Sequence, residues 1–178
     1  MSNLPTESIS SAAKKIKLLL LDVDGVLTDG RLYYGNSGEE MKAFNIQDGL
    51  GIKLFQQGGI QVGIITGRVS ELLQRRATEL GIIPVIQGRE DKLTALTELL
   101  LTADLSLDEI AFVGDDLPDL AVIKKVGVGI TVANGSATIK SAADWQTTKK
   151  GGEGAVREVA EMLLSCQNNL ARLLEQFQ

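Results

Sequence analysis

Four consecutive leucines, Leu18–Leu21, stop abruptly at two aspartates spaced by one residue, Asp22 and Asp24. A run this short does not cross a membrane but suits a strand buried on both faces. Such strands belong to parallel sheets with helices packed on either side. In extended backbone, residues two apart share a side. The two carboxylates are therefore expected to converge where the strand ends, at the edge where open α/β sheets hold their ligands. Adjacent carboxylates repel unless a cation or a shared proton relieves them, and Mg²⁺ is a hard cation that prefers oxygen ligands. An isolated Asp-x-Asp reads equally well as a strand followed by an acidic turn, so the rest of the chain must decide.

The rest of the chain repeats the design. Apolar runs at 60–65, 82–86, 110–113 and 127–132 read as further strands, with a last short one at 144–148. Helices are expected over 48–58, 69–80, 91–102 and, as one long element, 154–176. This alternation predicts a Rossmann-like, doubly wound, mostly parallel α/β sheet. Residues 31–45 carry two short apolar segments around a Gly-Asn-Ser-Gly turn at 35–38, a β-hairpin inserted after the first strand. Its Tyr33, Tyr34, Met41 and Phe44 either cover the site or pack against another subunit. The reading gives a polar lead-in at 1–16 and a single domain at 17–178. The glycine-dense stretch 151–154 reads as a linker or as a mobile site loop.

Composition narrows the chemistry. The net charge of −5 and the lack of a basic run argue against nucleic acid as a partner. No apolar run is long enough for a transmembrane helix, and the first residues lack a hydrophobic signal core. The single cysteine, Cys166, pairs with no other and fits a reducing cytoplasm as a passive helical residue. Histidine is absent, which excludes histidine triads, histidine bases and histidine metal ligands. Three strands end in polar clusters: Asp22 with Asp24, Thr66 with Arg68, and Asp115, Asp116 and Asp119. In a parallel sheet these ends share one edge, and Lys92, opening the helix after the third strand, joins them there. Carboxylates, a hydroxyl, an ammonium and a metal are what phosphoryl transfer needs: a nucleophile, a charge shield and holders for the phosphoryl oxygens.

DVDGVLTDG, IITGR, Lys92 and GDDLPD resemble, in order, the four motifs of the haloacid dehalogenase superfamily. DGVLTDG, FNIQDGLGI, ITGR and GAVREV are similar to those of its capless 3-deoxy-D-manno-octulosonate 8-phosphate phosphatase family. That family acts in the pathway to lipopolysaccharide in Gram-negative bacteria as a homotetramer whose hairpins meet. The resemblance implies a Mg²⁺-dependent phosphomonoesterase. Asp22 would be the nucleophile and a metal ligand. Asp24 would be the general acid/base, with its carbonyl on the metal, and Asp115 the third protein ligand. Thr66 and Lys92 would hold phosphoryl oxygens, and Asp116 and Asp119 would support the site or the substrate. Substrate contacts are expected from Asp24, Asn45, Ile46, Gln47, Asp48, Gly49, Lys53, Thr66, Gly67, Arg68, Arg76, Lys92 and Asp119. Arg76 also reads as a solvated helix residue. Arg157 either reaches a neighbour's substrate or serves its own helix terminus. Glu153 departs from the pattern, standing where the family has a basic residue. Rival readings are a phosphatase of nine-carbon 2-keto sugar acid 9-phosphates and a non-catalytic phospho-acceptor module, although such modules place the acidic pair and the phosphorylated Asp on different strands.

Overall fold

The computed structural model describes residues 4–37 and 40–178. Six strands, β1 (Leu18–Leu21), β4 (Gln61–Ile65), β5 (Val85–Ile86), β6 (Ile110–Gly114), β7 (Val128–Thr131) and β8 (Trp145–Gln146), form one parallel sheet in the order β5-β4-β1-β6-β7-β8. β1 lies at the centre, paired with β4 on one side and β6 on the other. Every residue of β1 is buried, as the leucine run predicts. Leu19 and Leu21 pack into the layer formed by helices α1 (Glu7–Ala13), α2 (Ile46–Gln57), α3 (Glu71–Leu80) and α7 (Ala155–Cys166). Leu18 and Leu20 face α4 (Lys92–Leu100), α5 (Leu120–Ile123) and α6 (Ala137–Ala142). The hairpin pairs β2 (Tyr33–Tyr34) with β3 (Glu40–Met41) in antiparallel register. Gly38 of the expected turn lies outside the described residues.

Three expectations change. The segment anticipated as a polar lead-in holds α1, with Thr6 capping its start, and buries Ala13 and Ile16 against the core. Spaced apolar residues (Ile9, Ala12, Ala13 and Ile16) give it a face to bury. The long C-terminal helix breaks after Cys166 and resumes as α8 (Leu170–Leu174). Asn168 takes φ 58°, a left-handed conformation that Asn tolerates better than most residues. Gln167 meanwhile turns its amide back to the carbonyls of Ala13 and Ile16 (3.0 and 2.9 Å), tying α7 to α1.

Residues 151–154 do not form a linker but pack closely against the rest of the domain. Gly151 accepts no side chain: a Cβ there would lie 1.7 Å from the Gly25 carbonyl oxygen. The Gly152 amide donates to Val26 (3.0 Å), and the Gly151 amide donates to the Asn134 side chain (2.8 Å). The glycines let this loop lie backbone to backbone against the loop that follows Asp22 and Asp24. Gly151→Ala is accordingly expected to destabilise by about 3 kcal/mol or more. Gly59→Ala, with a positive φ but open space around it, should cost only about 1 kcal/mol. Urea unfolding midpoints of the two variants check this; equal costs would mean that the 151–152 contact does not constrain the fold.

Candidate active site

β1, β4 and β6 all end on one sheet edge, and their loops carry the acidic cluster. β1 stops at Leu21, and the Asp22 amide still donates to Val113 of β6 (2.9 Å). The chain then turns at once, with the amides of Val26 and Leu27 donating to the Val23 carbonyl. The buried Thr28 hydroxyl accepts from the amides of Gly25 (3.4 Å) and Gly30 (3.2 Å), fixing the loop from within. Asp22 and Asp24 both follow the end of the strand, and their carboxylates take different cationic partners.

Asp22, 7 % exposed, faces Lys92 and the 114–119 loop. Lys92, 3 % exposed, reaches Asp22 Oδ1 at 2.8 Å and Asp119 Oδ1 at 2.5 Å. Carboxylate oxygens of Asp22, Asp115 and Asp119 lie within 4.8 Å of one another. Asp119 is already fully engaged, since its Oδ2 accepts the amides of Asp115 (2.9 Å) and Asp116 (3.3 Å). Asp115 carries no such load. Its carboxylate presses against Gly25, where a Cβ would come within 2.1 Å of Oδ2. Only glycine at 25 lets the Asp24–Gly25 backbone approach this carboxylate so closely.

The electrostatics follow from crowding. Burial, then the neighbouring Asp119 charge, raises the Asp22 pKa to about 6 against the pull of Lys92. Burial, then Asp22 and Asp119, raises that of Asp115 to about 7. Burial opposes the charge of Lys92, but Asp22 and Asp119 outweigh it and hold its pKa above the ordinary lysine value. Three carboxylates with one ammonium leave excess negative charge among hard oxygen donors, which fits Mg²⁺. The free valences belong to Asp22 and Asp115, with the Asp24 backbone alongside.

Asp24 has cationic partners of its own. Its Oδ1 accepts from Lys42, and its Oδ2 faces Arg68 Nε at 3.6 Å. Lys42 was not among the residues singled out from sequence. It lies just beyond β3, and only 2 % of its side chain is exposed. Nothing in local sequence distinguishes it from other solvated lysines. Thr66 is buried at the end of β4, and Gly67 packs near Glu90.

The segment 45–49 is tied into the fold by several contacts. Asn45 caps α2 through the Gln47 amide (2.8 Å) and donates to the Gly152 carbonyl (3.1 Å). Ile46 and Gln47 are exposed. Asp48, expected to face substrate, is 1 % exposed and points inward. Its Oδ1 accepts the Arg157 amide (2.9 Å) and it is drawn also by the amides of Gly154 and Val156. It thus caps the start of α7, where Gly154 offers no side chain. Burial nevertheless raises the Asp48 pKa. Gly49 is covered by the Arg76 guanidinium, and Lys53 donates to the Leu80 carbonyl at the end of α3 (2.7 Å). Arg76 also pairs with Glu79 (3.5 Å). Asp48, Gly49, Lys53 and Arg76 therefore meet along the α2–α3–α7 seam, while Asp22, Arg68, Lys92, Asp115 and Asp119 meet with the Asp24 loop at the sheet edge. Arg157 points along its own helix to Glu161 (2.8 Å), and Glu153 is exposed.

Residues 77–159 match the family model of haloacid dehalogenase-like hydrolases. The chain is 46% identical over 162 residues to the 3-deoxy-D-manno-octulosonate 8-phosphate phosphatase of Salmonella typhi, covering 91% of this chain and 86% of that protein. It is 45% identical to the Yersinia pestis enzyme of the same name, covering 92% and 88%. The crystal structure of the Moraxella catarrhalis 3-deoxy-D-manno-octulosonate 8-phosphate phosphatase, in complex with magnesium, phosphate and KDO, superposes with a TM-score of 0.95 at 48% identity, covering 97% of this chain and 99% of that one. This chain belongs to the 3-deoxy-D-manno-octulosonate 8-phosphate phosphatase family of the haloacid dehalogenase-like hydrolases.

Proposed function

We propose that the protein is a Mg²⁺-dependent phosphomonoesterase that hydrolyses 3-deoxy-D-manno-octulosonate 8-phosphate to the sugar acid and phosphate, within lipopolysaccharide precursor synthesis. The observation that carries this reading is the buried Asp22, held by Lys92 at 2.8 Å beside Asp115. Mg²⁺, held by the Asp22 and Asp115 carboxylates and the Asp24 carbonyl, would supply the charge shield that lets an anion approach a phosphoryl group. Asp22 attacks phosphorus, and the ester P–O bond breaks as the aspartyl–phosphorus bond forms. Asp24 gives a proton to the departing alkoxide, then takes one from the water that attacks the aspartyl-phosphate and frees Asp22. Lys92 and Thr66 hold phosphoryl oxygens, while Asp119 fixes Lys92 and the Asp115 amide. The segment 45–49, with Lys53, Gly67, Arg68 and Arg76, is assigned to the sugar-acid side, with Asp48 acting through the start of α7. The lone Cys166 agrees with a cytoplasmic site of action.

Among the described residues no helix is long and apolar enough to cross a membrane. The hairpin exposes apolar side chains: Tyr33 (41 %) stands opposite Met41 (65 %) across its two strands, beside Tyr34 (64 %). A cluster of this kind marks an interface, and the proposed assembly is a homotetramer in which hairpins meet. Tyr34→Glu together with Met41→Glu is expected to shift the species seen by light scattering toward monomer. An unchanged tetramer, or a wild type that is already monomeric, would overturn the assignment.

Phosphate release from 3-deoxy-D-manno-octulosonate 8-phosphate should require Mg²⁺ and fall on the order of a thousandfold or more in Asp22→Asn. Faster turnover of a nine-carbon 2-keto sugar acid 9-phosphate would reassign the substrate. No release from either by folded, Mg²⁺-loaded protein would end the phosphatase reading.

The pKa directions give a second test. With Asp22 raised to about 6 and Asp115 to about 7, the folded metal-free chain holds protons that the unfolded chain has lost. The stability from those protons is full below the ordinary carboxylate range and is lost as pH rises through 6 to 7. Mg²⁺ must displace the same protons. Its effect on the melting temperature should therefore be larger at pH 8 than at pH 5.5. Equal shifts would mean that it binds elsewhere.

A further inference from the structure

The mechanism leaves one buried charge without a task. Lys42 follows β3, and its ammonium is withdrawn from solvent with 2 % of the side chain exposed. It donates to Asp24 Oδ1 and lies 3.7 Å from Glu40. Arg68 closes the group, reaching Glu40 at 3.4 Å, the Tyr34 hydroxyl at 3.1 Å and Asp24 Oδ2 at 3.6 Å. Burying a lysine chain and its charge costs free energy unless a partner compensates, and here the direct hydrogen bond goes to Asp24, with Glu40 farther off. The two oxygens of Asp24 are thereby made inequivalent. Oδ1 is committed to Lys42, whereas Oδ2 is buried with no hydrogen-bond partner, as is the Arg68 Nε that faces it.

We infer that Lys42 is a positioning residue that fixes the orientation of the Asp24 carboxyl group for proton transfer. The inference rests on the acid/base role proposed for Asp24. In the first step the ester P–O bond breaks, the Asp22–phosphorus bond forms, and the proton on the Asp24 carboxyl group passes to the leaving oxygen. In the second, water attacks phosphorus, the Asp22–phosphorus bond breaks, and the water proton returns to Asp24. Lys42 gains and loses nothing in either step. Its contribution is orientation: a carboxylate free to rotate would present its proton to the leaving oxygen for only part of the time. The hairpin is thus a working part of the site in its own chain, whatever covers its outer face.

The test separates orientation from general damage by leaving-group dependence. kcat/KM reports events up to departure of the leaving group, and a poor alkoxide needs the proton far more than nitrophenolate does. Lys42→Met keeps the length of the side chain and removes the charge. For the sugar-acid phosphate its kcat/KM should fall roughly 10- to 100-fold. For p-nitrophenyl phosphate it should fall no more than about threefold. Lys42→Arg, which keeps a donor, should recover part of the loss. In an Asp24→Asn background, where no proton is transferred, adding Lys42→Met should change kcat/KM little. Equal losses on both substrates, or losses that add to those of Asp24→Asn, would make Lys42 structural or a direct substrate contact and overturn the inference. If Asp24→Asn itself leaves turnover of the sugar-acid phosphate intact, the acid/base reading has failed, which is a different result. If Asp24→Asn is slow and Lys42→Met is not, only the inference has failed.

Discussion

The site hangs on a buried ammonium shared by two buried carboxylates. Lys92 stands between Asp22 and Asp119, and none of the three is more than 7 % exposed. Removing such charges from water is costly, and mutual attraction compensates only when the geometry satisfies every remaining polar atom. Asp119 shows how it is met: one oxygen goes to Lys92 and the other to two successive backbone amides. Those amides belong to Asp115 and Asp116, so the contact that steadies the lysine also sets the course of the loop carrying Asp115. Gly114 is part of the same fit, because a Cβ there would lie 2.4 Å from the Asp119 side chain. The arrangement still leaves more negative than positive charge at the sheet edge. That imbalance, expressed in the raised pKa values of Asp22 and Asp115, is what a divalent cation relieves.

A second constraint keeps the loops where that cation needs them. Gly25 meets the Asp115 carboxylate and Gly151 meets the Gly25 carbonyl, in contacts that no side chain could share. The Gly152 amide and carbonyl then reach Val26 and Asn45, so residues from the first, second and last parts of the chain converge on one turn. Asp48 extends the link by capping α7 from α2. Gly51 allows those two helices to approach until a Cβ would sit 2.9 Å from the Arg157 Cα. Backbone therefore meets backbone closely beside the acidic cluster, and positional precision of that kind is what phosphoryl transfer requires.

How much of this was legible in the sequence depends on the range over which each residue acts. The parallel strands and their order along the chain could be read because burial on both faces leaves unbroken apolar runs, such as Leu18–Leu21. The acidic cluster could be read because strand ends in such a sheet must share an edge. Asp48 could not be read, because its partner amide is 109 residues away and its neighbours look like an ordinary helix start. Lys42 was hidden for the same reason: a lysine in a polar hairpin is unremarkable until the fold brings it to Asp24. The helix break at Asn168 depends on one residue taking a left-handed conformation beside a glutamine committed to α1, and helical periodicity carries no record of that. The separate partners of Asp22 and Asp24 were not legible either, because the strand ends before them and alternation in extended backbone no longer fixes their sides.

The hairpin gains its meaning from how its side chains are divided between the site and the surface. Glu40 and Lys42 turn toward Arg68 and Asp24, while Met41 between them is 65 % exposed. One short strand thus offers charge to the site and an apolar side chain outward. The two faces are mechanically coupled, because a strand that shifts to suit an outer contact carries Lys42 with it. A capless phosphatase has no domain of its own to close over the reacting phosphorus. An ion pair ties this hairpin inward to Asp24 while its apolar side chains face outward, so Lys42 can steady that carboxylate without contributing an atom to the chemistry.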